Sequence, residues 1–267
     1  MVSASLIKQA RRASGLSQLR LARQLGSTQP EVARWESGRV TPSIERLREI
    51  VAACGKELTV SLGEPDRSYD ADIRRTLALP PARRLAAALQ VAEQTRVMRA
   101  GDGPPPAPLD VTGTLRALHD AGMQAVLVGE IAEVLHGSPL IPVRGEVTLV
   151  PRLGDRQQLT TALTSAGGQP AGEPAALPVD APERWNLERY GVDVVLMPAP
   201  PGTRGFSDLR RDAGEIVVDE IPVTVASLLD LLRSAEASTA PSDRGRVPAL
   251  RRTLELTPTD QDAARAA

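Results

Sequence analysis

Apolar positions across residues 5–53 recur at intervals of three and four, and glycines interrupt them at short, regular distances. That pattern predicts a series of short amphipathic helices. Residues 5–14 set Leu6, Ile7 and Ala10 on one side and Arg11 and Arg12 on the other. A second helix opens at Gln18 and turns Leu21, Ala22 and Leu25 to one face, with Ser17 as its N-cap and Gly26 where a left-handed residue ends it. Ser27 or Thr28 caps a third helix. There Pro30 suits the first turn, Val32 and Trp35 point inward, and Gln29, Glu31 and Arg34 stay outside. Ala22 is small enough for these two helices to cross closely. Ser37, Gly38 and Arg39 lead out, and Ser43 caps a helix over 44–53 that buries Leu47, Ile50 and Val51 and stops at Gly55. The expected module is a bundle of five short helices.

The period then changes. Residues 56–62, KELTVSL, alternate polar and apolar, which predicts a strand; a lone strand is unstable and needs a partner. Residues 64–68 form a polar break. Residues 69–99 read as one or two helices, the second starting at Pro80-Pro81 with a stripe of Leu85, Ala88, Leu89, Ala92 and Val97. Arg83, Arg84, Arg96 and Arg99 read as a solvated face. Residues 101–108, GDGPPPAP, predict an extended spacer. Beyond it helices and strands alternate. Helices are expected at 109–121, 129–136, 155–166, 226–237 and 247–256, and strands at 124–128, 146–150, 191–197, 215–218 and 221–225. The last two strands form a hairpin across Asp219-Glu220. This predicts an α/β or α+β domain with a mixed sheet. Residues 169–182 and 198–205 read as Pro/Gly-rich loops without readable chemistry. The expected organisation is a helical domain with a strand (1–63), a helical segment and linker (64–108), a mixed-sheet domain (109–257) and a frayed tail (258–267).

Composition sharpens this. Aromatic residues make up only 2 % of 267, so the cores must be aliphatic. The single cysteine, Cys54, precludes an internal disulfide and is expected in a core. Neither a signal peptide nor an apolar run long enough for a membrane span is visible, which points to the cytoplasm. The net charge of −1 conceals an asymmetry: +5 over residues 1–63, +1 over 64–103 and −7 over 104–267. A basic first domain suits a polyphosphate backbone and the acidic remainder does not, so contact with nucleic acid is expected at the amino-terminal end alone. His119 and His136 lack ligand-spaced companions, so no metal site is expected. No Ser-His-Asp set can be assembled, and Trp35 and Trp185 read as packing residues.

Two resemblances follow from particular residues. Ser17-Gln18, Leu21-Ala22, Leu25-Gly26, Gln29, Val32, Arg34-Trp35-Glu36, Gly38, Pro42-Ser43, Leu47 and Ile50 together resemble the helix-turn-helix of Cro/cI (XRE) phage-repressor proteins. The resemblance implies binding of double-stranded DNA, with the third helix in the major groove. Gln18 would clamp the groove edge, and Gln29, Pro30 and Arg34 would face bases. Gln pairs in bidentate fashion with adenine and Arg with guanine. Pro30 departs from the usual polar residue and offers only apolar contact. Thr28, Glu31 and Ser37 lie on or beside the same face, and Arg39 and Thr41 stand where backbone contacts are expected. The family also implies a homodimer, in which the 56–62 strand pairs with its twin; pairing with the carboxy-terminal domain is the alternative.

The second resemblance lies in AVLVGEIAEVLHG, RGEVTLV, GVDVVLM and the segments after residue 205. Their order is similar to nucleotidyltransferase-like domains of the AbiEii/MNT type, found in toxin–antitoxin systems. Such domains hold two Mg²⁺ ions with Asp-x-Asp on one strand and a third Asp on another, because residues i and i+2 of a strand share a side. Here Glu146 and Thr148 occupy the pair and Asp193 matches the third acid, while Gly129 and Glu130 take the phosphate-binding turn. Thr148 supplies no charge and Glu130 would repel a triphosphate. The chain therefore reads as a DNA-binding regulator without a cofactor. Its degenerate second domain would sense, dimerise or dock a partner protein, in a toxin–antitoxin or phage-defence setting. The alternative is an active Mg²⁺-dependent nucleotidyltransferase with an autoregulatory helix-turn-helix.

Overall fold

The computed structural model describes residues 2–60, 66–101, 106–142, 144–152, 156–171 and 182–257. The chain divides into two compact units, Met1–Pro65 and Asp66–Ala267.

The first unit is helical: α1 (Val2–Ala13), α2 (Gln18–Gln24), α3 (Gln29–Glu36) and α4 (Ile44–Ala53). Three hydroxyls start the last three helices. Ser17, Thr28 and Ser43 each hold an extended backbone while the side-chain oxygen accepts from the N–H of Arg20, Glu31 and Arg46 respectively. Ile7, Leu21, Ala22, Val32, Trp35, Ile50 and Cys54 form the core, so all four helices contribute. One expectation is corrected: among the described residues the bundle has four helices, not five, because the four amphipathic runs at 5–14, 18–25, 29–36 and 44–53 account for all of them. Residues 56–60 have no strand partner among the described residues of the single chain. The rest of that expected strand, and the start of the polar break, lie outside the described residues.

The second unit contains α5 (Asp70–Leu77), α6 (Pro81–Ala100), α7 (Val111–Asp120), β1 (Ala125–Val128), α8 (Gly129–Leu135), β2 (Glu146–Pro151), α9 (Arg156–Ser165), β3 (Gln169–Pro170), β4 (Glu183–Leu187), β5 (Val192–Leu196), α10 (Phe206–Leu209), β6 (Gly214–Val218), β7 (Ile221–Val225), α11 (Leu228–Ala237) and α12 (Pro241–Leu256). The sheet is mixed and seven-stranded, in the order β3-β4-β5-β2-β1-β7-β6. β2 runs parallel to β5 and β1 to β7; the other neighbours are antiparallel. Alternation along β1 sends Leu127 and Val128 to opposite faces, and α7 covers one while α8 covers the other. The β6–β7 hairpin turns at Asp219 and Glu220, with φ of 45° and 71°, as a tight two-residue turn requires.

Helices α5 and α6, expected between the domains, pack inside this second unit. Leu85 of α6 belongs to its main core. The Arg84 guanidinium, expected on a solvated face, donates to the carbonyls of Thr76 (3.1 Å), Leu77 (3.1 Å), Leu79 (2.8 Å) and Leu135 (2.7 Å). It thereby gathers carbonyls at and just beyond the C-terminal ends of α5 and α8, of which that of Thr76 also accepts from the Leu79 N–H at 3.0 Å. Asp70 of α5 accepts two bonds from Arg252 of α12, at 2.5 and 2.7 Å. The described end of the expected spacer is held too: Arg96 donates to the Ala107 carbonyl at 3.1 Å, and the Leu109 N–H to Glu93 at 3.3 Å. Residues 102–105 and the tail 258–267 lie outside the described residues. β3 occupies part of an expected loop, β4 and α10 went unread, and α12 begins six residues early, with Pro241 in its first turn.

Candidate nucleic-acid interface and the cleft of the second unit

Helix α3 is anchored by one side and offered by the other. Val32 and Trp35 are buried; Gln29, Pro30, Arg34 and, beyond its end, Ser37, Arg39 and Thr41 are exposed. Thr28 is spent on the cap, and Ser37 donates back to the Arg34 carbonyl at 3.1 Å. Glu31 is half-buried and accepts from the Ser27 hydroxyl at 2.7 Å, so its charge is turned toward the helix start rather than outward.

Gln18 does not stand free. Its amide nitrogen donates to Glu36 at 2.9 Å and its amide oxygen accepts from Gln29 at 2.9 Å. Glu36 also accepts two bonds from Arg11, at 2.5 and 3.0 Å, and Arg11 donates a third to the Leu16 carbonyl at 2.7 Å. A chain of polar contacts therefore runs from α1 through Glu36 and Gln18 to the tip of α3. Arg11, expected outside, is turned in by Glu36, and its hydrogen bonds to the Glu36 carboxylate keep the guanidinium firmly protonated. Neither residue could be assigned this role from spacing, because they are 25 positions apart. Arg46 lies over the Trp35 ring at 5.3 Å, closing the other side of α3.

In the second unit, a cleft opens at the ends of β1, β2 and β5, bounded by α8, α11 and α12. Register places Glu146 opposite Asp193, so two of the acids singled out in the sequence are neighbours. Between them sits Arg184 of β4, which donates to Glu146 at 2.8 Å and to Asp193 at 3.0 Å. Asn186 completes the shell by donating to Asp193 at 2.9 Å. Hydrogen bonding to Glu146 raises the Arg184 pKa, so this cation is permanent. Thr148 packs against Gly129, where a Cβ would approach the threonine hydroxyl to 3.3 Å; with φ of 74° the position admits little but glycine.

A second guanidinium fills the far wall. Arg246 pairs with Glu133, with Glu130 at 3.5 Å and with Asp243 at 3.6 Å. Burial pushes the Glu133 carboxyl up, opposed by Arg246. Each acid that could meet a metal or a phosphate is thus engaged by an arginine of the same chain. The donor set does not fit a pair of Mg²⁺ ions: Thr148 is neutral, and a guanidinium lies between the remaining two carboxylates. Among the described residues no group of three or more His, Cys, Asp or Glu could hold a metal ion. Arg184 and Arg246 were missed in the sequence because nothing local marks them.

With this geometry in place, the first unit is defined as a DNA-binding helix-turn-helix domain of Cro/cI type. Residues 7–60 match the helix-turn-helix family HTH_3. That span covers all of α2, α3 and α4 and most of α1. A comparison with curated proteins gave no match. Among the described residues no helix is long and apolar enough to cross a membrane.

Proposed function

We propose that this protein is a sequence-specific transcriptional regulator that docks α3 in the major groove of its operator and acts as a homodimer. Gln29 and Arg34 read base edges, Pro30 makes apolar contact, and Arg39, Thr41 and Ser37 hold the phosphate backbone. Gln18 acts as the positioning residue for Gln29 at the groove edge, and Thr28 and Glu31 shape the start of the helix. The observation that carries this reading is the capped, two-sided α3: buried through Val32 and Trp35, open through Gln29, Pro30 and Arg34, within residues 1–63 of net charge +5.

The second unit keeps a nucleotidyltransferase-like order of elements without the chemistry, and serves to sense a signal or dock a partner protein within a toxin–antitoxin or phage-defence operon. The arginine lodged between Glu146 and Asp193 supports a non-catalytic role. Footprinting on the DNA upstream of the protein's own coding sequence tests the first part, with protection of one or two half-sites expected. Incubation with labelled nucleoside triphosphates and Mg²⁺ tests the second. Label transfer abolished by Glu146→Gln or Asp193→Asn would replace this reading with an active nucleotidyltransferase.

A further inference from the structure

The cleft of the second unit has a volume of about 250 Å³, and its lining is of two kinds. One stretch is apolar, formed by Val128, Val195, Met197, Leu209, Leu231 and Ala235. Another is ionic and belongs to α8 and α12. There Arg246 gives its two shorter bonds to Glu133. Glu130 and Asp243 meet only its Nη1, at 3.5 and 3.6 Å, too far for a strong charge-assisted bond. Three carboxylates therefore share one guanidinium, an excess of two negative charges. The place is largely closed to water, with the Glu130 and Asp243 side chains 16 % and 28 % exposed. Burial holds the Glu133 carboxyl above its usual range, and Glu130 and Asp243 add to that rise against the pull of Arg246. The rest of the cleft does not restore the balance. Arg184 is held between Glu146 and Asp193, Asp230 adds a further acid, and Arg144 donates to the Ser242 hydroxyl at 2.7 Å. Among the described residues of the lining, acids outnumber arginines by five to three.

We infer that this cleft receives a small organic amine, its ammonium group between Glu130 and Asp243 and its hydrocarbon body along the apolar stretch. The negative excess selects a cation and repels a phosphate or a carboxylate. The start of α8, where an anion is favoured, is already served by Glu130 in its first turn. A primary ammonium is compact and carries three donors, so it can meet both open carboxylates while Arg246 stays on Glu133. A bare metal ion has no use for the apolar stretch, and among the described residues no group of three or more His, Cys, Asp or Glu could hold one. An apolar pocket with a few convergent polar groups is the usual form of a small-molecule site. The inference rests on the reading of the second unit as a sensor and names the class of its ligand. Arg246 and Arg252 both belong to α12, and Arg252 holds Asp70 of α5. The helix that meets the amine thus also grips the first helix that follows the DNA-binding unit in the chain.

Titration calorimetry of the full chain with hexylammonium, hexanoate and hexan-1-ol, which share one hydrocarbon body, tests it. Hexylammonium is expected to bind about tenfold or more tightly than the other two, and Glu130→Gln or Asp243→Asn to weaken it by about tenfold. Circular dichroism verifies folding, and either variant serves if the other unfolds; the order of the three probes on the wild-type chain decides without them. No binding of hexylammonium, hexanoate bound as tightly, or a folded variant that keeps full affinity would each overturn the inference. Operator affinity is then measured with and without saturating hexylammonium. An amine that binds selectively and leaves operator affinity unchanged upholds the site and removes the sensor reading. A chain that binds no amine and still footprints its operator sinks the site and leaves the regulator standing.

Discussion

Glu36→Ala is the most informative single change in the DNA-binding unit. The Glu36 side chain is 5 % exposed and that of Arg11 12 %. Removing the carboxylate strands a guanidinium that had two bonds to it, and takes the acceptor from Gln18. Breaking one side of a buried pair costs about 3–5 kcal/mol. Whole domains hold only about 5–15 kcal/mol, and a unit of this size sits near the bottom of that range. The variant should therefore lose most of its unit's stability. Trp35 and Trp185 are the only tryptophans, one in each unit, so urea unfolding followed by fluorescence in a Trp185→Phe background reports on Trp35 alone. Arg11→Met/Glu36→Met removes both charges together and should recover to within about 1–2 kcal/mol of the parent, because the desolvation cost leaves with the attraction. A Glu36→Ala loss below about 1 kcal/mol, or a double variant as unstable as the two single losses added, would refute the argument.

Four further outcomes are expected. Arg34→Ala should cost about 1–3 kcal/mol of operator affinity and relax preference at one base pair, as read by selection from randomised sites, whereas Arg39→Ala should weaken all sequences alike and lower the salt slope by about one. Arg84→Met takes the guanidinium from four carbonyls, of which that of Thr76 keeps the Leu79 N–H; unit two should lose about 2–3 kcal/mol in urea unfolding while half-site DNA affinity stays unchanged. His136 is half-buried with Nε2 2.7 Å from the Ala226 carbonyl, and the loss of water around it holds its pKa below the usual 6.5. The unfolded chain then takes up the proton first as pH falls, so unit two loses stability in acid below about pH 6.5 until the folded imidazole is protonated too; His136→Gln should flatten that part of the profile, and equal slopes for the two proteins would contradict it.

The DNA-binding unit was legible because its signals are local. Ser17, Thr28 and Ser43 stand immediately before apolar periodic runs, and each proved to be a cap. The hairpin at Asp219-Glu220 was readable from two alternating runs around two polar residues. What escaped depends on register. β4 alternates, with Trp185 and Leu187 buried, but it is five residues long and follows a proline-rich stretch, so it looked like loop. Once it is missed, Arg184 has no address, and the pairing of Glu146 with Asp193 across 47 positions gives no hint of a cation between them. The arginines of α6 were misjudged for a related reason: a helix period shows which face is apolar, and Arg84 reaches out of that scheme to carbonyls at two other helix ends.

The positive charge between Glu146 and Asp193 belongs to the polypeptide itself. It cannot be leached by a chelator, exchanged for a competing ion or depleted when cellular magnesium falls. Whatever state this part of the sheet holds, it keeps that state across ionic conditions that would empty and refill a true cation site. What dissolved ions can still do there is screen the pair, because the Arg184 side chain is 44 % exposed.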